Sequence, residues 1–225
     1  MNAQANLPGG IQQLLQQIYD VSAGHDVADF LITDRGLADA LHGAAGHRAV
    51  KEKLLVAEDG EYVDLSLYLD AGLLRRLQAR NPLVDLHHLN LADFCLVVEG
   101  ISHFLYLAWN ARHDKSVTLM ELEMQAEIDK FVMALHLLSR QGAGDAGELH
   151  RRLFDTPRFD PQLGEQALER YRHASMYAGK YCRALYRRFL RRVRRPGMLC
   201  ELRRFYRLPQ SAKIRHIEDA FCAAG

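Results

Sequence analysis

Several kinds of signal are missing from this 225-residue chain. Its four cysteines, Cys95, Cys182, Cys200 and Cys222, form no CxxC pair and no zinc-like set, and a reducing, cytoplasmic compartment is the simplest reading of them. The opening MNAQANLPGG shows no basic segment followed by an apolar run, so no secretory signal is visible. Neither LPGG nor QGAGDAG has the flanks of a phosphate loop, and Ser102 and Ser175 lack a nucleophile-elbow context. Cys95 and His103 lie about two turns apart on one helix, too far for a nucleophile–base pair. No internal repeat, low-complexity run or recognised DNA- or RNA-binding motif is present. His113-Asp114, a dipeptide also found in metal phosphohydrolases, falls in a loop and reads as a chance match.

Net charge is also nearly absent, at +1, but it hides an asymmetry. Residues 147–225 hold 18 Lys and Arg against 8 Asp and Glu, leaving 11 against 20 in the first 146. The two halves can attract each other or serve different partners.

What is there reads as an α+β protein, mostly α: a helical bundle with a small N-terminal antiparallel sheet. Residues 1–10 read as a frayed lead, and the apolar spacing of Ile11, Leu14, Leu15 and Ile18 predicts a helix over 11–19. Residues 27–33 read as a strand, and Asp34 or Thr33 as the cap of a short helix. Residues 53–69 read as a hairpin about Asp59-Gly60, with alternation giving one packed and one wet face. Asp70 opens a further short helix. Beyond residue 90 nearly everything reads as helix: 91–111 capped by Asn90, 118–139 opened by a Thr118/Glu121 capping box, 162–193, 198–206 and 210–221. Residues 141–147 read as a flexible linker. A single domain over 1–225 is expected, with sheet and short helices at 11–80, the bundle core at 90–195 and a helical tail at 196–225. The apolar 91–108 stretch is broken by Asp93, Glu99 and His103, so it reads as a core helix and not a membrane span.

Acids and imidazoles on apolar helices are costly unless paired or metal-bound. Glu99, His103, Tyr106 and Asn110 form one stripe at i, i+4, i+7 and i+11. Mid-helix Gly100 implies a close helix–helix approach or a ligand beside Glu99. Glu123 and Glu127 repel mildly unless Lys130, an arginine or a metal lies beside them, and Glu169 and His173 repeat the Glu-xxx-His spacing. Glu99, His103, Glu123, Glu127, Glu169 and His173 are therefore candidate ligands for Fe, Mn or Zn. In this, residues 90–190 resemble the ferritin-like di-iron carboxylate proteins, although those carry Glu-x-x-His where this chain has Glu-x-x-x-His. The resemblance implies a metal held by inward side chains of facing helices. The same groups could instead form a polar network with Arg170, Arg172 or Lys180 that fixes helix register, or line a small-molecule pocket.

Nine arginines lie between Arg187 and Arg207, interleaved with aromatics. Arg187, Arg188, Arg191, Arg192, Arg194 and Arg195 are candidates for binding an acidic protein partner in a non-catalytic adaptor, with nucleic acid less favoured. Alternatively, these arginines cover the wet side of a helix and pair with the acidic half of the chain.

Overall fold

A computed structural model describes residues 6–42, 50–59, 62–157, 159–190 and 197–222. Along the chain run α1 (Leu7–Tyr19), a 3-10 turn (Val27–Phe30), β1 (Leu31–Ile32), α2 (Arg35–His42), β2 (Glu52–Asp59), β3 (Tyr62–Leu69) and α3 (Ala71–Ala79). Then follow α4 (Leu91–Ala111), α5 (Leu119–Arg140), α6 (Ala146–Phe154), α7 (Glu165–Leu185), a π turn (Tyr186–Leu190), α8 (Met198–Tyr206) and α9 (Gln210–Cys222). The architecture is α+β and mostly helical.

Helix α4 is the spine. Phe94, Val97, Val98, Ile101, Phe104 and Leu105 are fully buried, and α1, α3, α5, β2, β3 and the 3-10 turn all touch it. Its length and composition would suit a bilayer, yet 72% of its apolar window is buried inside the fold. Asn90 stands at its N-cap position but does not cap it. The Asn90 side chain instead accepts from His87 N–H and donates to the Arg80 and Asp85 carbonyls, stitching the 80–90 loop.

The sheet is mixed, in the order β1-β3-β2, and not wholly antiparallel. β2 and β3 form the expected hairpin, with Glu52 opposite Leu69 and Asp59 opposite Tyr62. Gly60 of the expected turn lies outside the described residues. Residues 27–30, expected as strand, are a 3-10 turn because the Asp26 carboxylate caps it through Ala28 N–H. Only Leu31 and Ile32 reach the sheet, where they pair parallel to Leu67 and Tyr68. Leu67 and Leu69 are buried in the main core, as the alternation requires. Tyr68, on the other face, is buried as well, because Ala38 of α2 packs there with Leu55.

Other boundaries moved for local reasons. α1 starts at Leu7, inside the expected frayed lead: Asn6 accepts from Gly9 N–H, and Pro8 sits in the first turn, where its missing donor costs little. Residues 141–147 are no free linker. Gln141 binds Leu86 N–H and the Pro82 carbonyl, and Asp145 caps α6. Arg203 of α8 and Arg207 just after it donate to the Gln17, Ile18, Tyr19 and Asp20 carbonyls, closing the C-terminal end of α1. The basic rear of the chain is thus partly used on its own front.

Gly100 marks a close approach, but to the sheet and not to a helix. A Cβ there would lie 2.8 Å from both Glu52 Cγ and Leu67 Cδ1. Helix propensity alone favours alanine by about 1 kcal/mol, and overpacking costs about 1–3 kcal/mol. Gly100→Ala is therefore expected to lower the urea midpoint, and an unchanged or raised midpoint would contradict this contact.

Candidate metal centre

Helices α4 and α5 run antiparallel, as their side-chain partners show: Glu99 meets Lys130, Ser102 meets Asp129, and Tyr106 meets Glu121. Positions one turn apart on α4 therefore face positions one turn apart on α5. Two buried polar layers result.

The first layer holds Glu99 and His103 from α4, Glu123, Glu127 and Lys130 from α5, and Glu52 from β2. Ligand atoms of Glu99, His103 and Glu123 all lie within 4.8 Å of one another. His103 is 6% exposed. Its Nε2 lies 3.5 Å from Glu123 Oε2 and its Nδ1 3.7 Å from Glu52 Oε1. Both distances are long for hydrogen bonds, and His103 Nε2 and Glu52 Oε1 have no hydrogen-bond partner among the described residues. Lys130 is tightly held: its ammonium donates to Glu99 Oε2 at 3.0 Å and to Glu127 Oε1 at 2.7 Å.

Electrostatics follow burial and these neighbours. Burial would depress the His103 pKa, but Glu123 and Glu52 raise it well above the ordinary histidine value. Burial likewise opposes the Lys130 charge, and Glu127 and Glu99 more than restore it. Glu99 is held below its ordinary value against burial, by Lys130 and His103. Burial raises Glu52 and Glu127 despite their cationic neighbours. Tyr171 on α7 is raised by burial and then by Glu123 and Glu99, which places a phenol beside the cluster. Burial pushes the Cys95 thiol up to about 12, which leaves it a poor nucleophile.

The second layer closes on itself. Asp129 accepts from Tyr19 OH, from Ser102 OH at 2.6 Å and from the Gln125 amide at 2.8 Å. Lys213 of α9, fully buried, donates to the Tyr106 oxygen and to Gln125 Oε1, each at 2.8 Å. Tyr106 OH donates to Glu121 Oε1 at 2.5 Å. Glu121, expected as half of a capping box, thus spends its carboxylate here, while Thr118 alone caps α5 by accepting from Glu121 N–H. Asn110 turns back and donates to the Tyr106 carbonyl.

Glu99, His103 and Glu123 thus come together, and Glu127 reaches them through Lys130. Glu169 and His173 are exposed on α7 and stay apart. Glu99 finds its cation on α5, at Lys130, where the sequence had offered it Arg170, Arg172 or Lys180 of α7. Arg187 and Arg188 are exposed, and Arg191, Arg192, Arg194 and Arg195 lie outside the described residues. Three contributors escaped the sequence pattern. Glu52 sits one residue before the expected strand start. Asp129 was hidden by the stripe at 123/127, although Glu121, Gln125 and Asp129 make an equally regular i, i+4 series, and Lys213 lies on α9, far along the chain. Comparison with protein families, with curated proteins and with solved structures finds no match.

The second layer yields a pH signature. Burial lowers the Lys213 pKa from 10.5 to about 7. Above about pH 7 and up to the ordinary lysine range, the unfolded chain holds a proton at Lys213 that the folded chain has released. This contribution therefore raises stability as pH rises, by at most about 1.4 kcal/mol per pH unit. His103, shifted upward, works the opposite way above the ordinary histidine value, so the readout is the gap between wild type and Lys213→Met. That gap in urea-unfolding free energy is expected to move in favour of wild type between about pH 7 and pH 9.5. A gap independent of pH would contradict a neutral-shifted Lys213.

Proposed function

We propose that this protein binds a divalent transition metal, Fe, Mn or Zn, through Glu99, His103 and Glu123, with Glu52 behind the imidazole. The observation that carries the reading is His103 Nε2: buried, without a hydrogen-bond partner among the described residues, and 3.5 Å from a Glu123 oxygen. Two ligands about 2.0–2.2 Å from one tetrahedral metal lie about 3.4 Å apart. The donor chemistry also fits, since carboxylates and imidazole suit these ions. The carboxylates of Glu52, Glu99, Glu123 and Glu127 gather about the Lys130 ammonium and the His103 imidazole, and a dication would offset the excess negative charge. Glu52 facing Nδ1 matches the usual carboxylate behind a metal-bound histidine, where it orients the ring. Supply of ligands from two facing helices is what the likeness to ferritin-like carboxylate proteins implies, with Glu169 and His173 left out.

Bound there, the metal would act as a Lewis acid in a site screened from bulk water. A second reading is favoured by the upward shift of His103: a protonated imidazole holding Glu52 and Glu123 as a structural network.

Metal analysis separates the two. Protein purified without a histidine tag is expected to carry, or to take up, Fe, Mn or Zn near stoichiometry. His103→Ala and Glu123→Gln are expected to weaken binding by well over tenfold. Added metal should also raise the Tm of wild type and leave that of the variants unmoved. Absence of both uptake and thermal shift in folded wild type would favour the protonated network.

A further inference from the structure

We infer that Lys130 is the site's own second cation and restricts it to a single metal ion. This inference rests on the metal-binding reading above and specifies its stoichiometry.

The geometry is a four-cornered box. Glu99 and His103 occupy two corners, one turn apart on α4. Glu127 and Glu123 occupy the facing corners, one turn apart on α5, in reversed order because the helices are antiparallel. Such a box has two places for a cation: one between Glu99 and Glu127, the other between His103 and Glu123. The Lys130 ammonium fills the first, at 3.0 Å from Glu99 Oε2 and 2.7 Å from Glu127 Oε1. The second contains His103 Nε2, which has no hydrogen bond among the described residues.

Paired-metal carboxylate sites hold their ions about 3.5–4 Å apart, with carboxylates shared between them. Here the shared group is Glu99, one oxygen of which is committed to the ammonium. A metal between Glu99 and Glu127 would need the oxygens that Lys130 already holds, and the like charges would repel. Lys130 comes from α5 itself, three residues after Glu127, so it is fixed by the same helix that supplies the carboxylate. The ammonium supplies one invariant positive charge and undergoes no redox change. The chemistry available is therefore that of one metal centre, and the shared two-electron chemistry of a metal pair is shut out.

Mn2+ tests this, because its electron paramagnetic resonance separates single ions from coupled pairs. Wild type titrated with Mn2+ is expected to bind one ion per chain and to give a six-line spectrum. Two ions per chain, or an exchange-coupled spectrum, would overturn the inference while leaving metal binding intact. No uptake at all by folded wild type would overturn the metal reading and this one with it. Lys130→Ala is expected to admit a second Mn2+ and give a coupled spectrum, and a folded variant that still binds one ion would show that Lys130 is not what excludes the second. Glu127→Gln keeps the test decisive if Lys130→Ala does not fold. It is expected to retain one ion with less than about a tenfold loss of affinity, and loss of the ion would identify Glu127 as a ligand and overturn the assignment.

Discussion

Everything polar on α4 must find its partner inside the protein, because helices, strands and a 3-10 turn enclose that helix. Burying a carboxylate or imidazole without compensation costs several kcal/mol, so each such group dictates what its neighbours carry. Glu99 requires Lys130. Ser102 turns to Asp129, and Asp129 in turn draws Tyr19 from α1 and Gln125 from its own helix. Tyr106 draws Glu121 from α5 and Lys213 from α9. The placement of α1, α5 and α9 around the spine is in this sense an answer to the side chains the spine carries.

The two layers serve as controls for each other. They occupy the same pair of helices, at comparable burial, a few residues apart. In one, Tyr19, Ser102, Tyr106, Gln125, Asp129 and Lys213 are matched by hydrogen bonds. In the other, Lys130 is matched while His103 Nε2 and Glu52 Oε1 are not. A fold that closes one layer so completely has the means to close the other. Acids on both sides of the imidazole suit a bound cation or a protonated His103.

Much of this was legible in the sequence, and the failures have physical causes. The stripe at Glu99 and His103 stood out because acid and imidazole interrupt an apolar run. Spacing put Lys130, with an arginine or a metal, among the cations for Glu123 and Glu127, and the fold gives Lys130 to Glu127 and to Glu99. Glu169 and His173 have the same spacing but lie on an exposed face. A period of four marks one face of a helix, and the tertiary fold decides whether that face is inside. Gly100 signalled a close approach, and only the fold shows that it is Glu52 and Leu67 of the hairpin that arrive there. Lys213 was invisible because α9 is amphipathic and short, and a lysine on such a helix ordinarily faces water. The parallel pairing of β1 could not be read because a side-chain cap at Asp26 converts an apolar run from strand to 3-10 turn.

The contacts of α8 and α9 also order events in time. Arg203 reaches back 185 residues to the Ile18 carbonyl, and Lys213 reaches back 107 residues to Tyr106. Ribosomal synthesis releases the N-terminus first, so α1, α4 and α5 emerge with acceptors that nothing yet synthesised can satisfy. The spine keeps these places open until α8 and α9 have been made. Contacts of such long range slow folding and lengthen the exposure of apolar surface. Until α8 and α9 are made, the chain therefore lacks the arginine donors to the last α1 carbonyls and the Lys213 donor of the second layer.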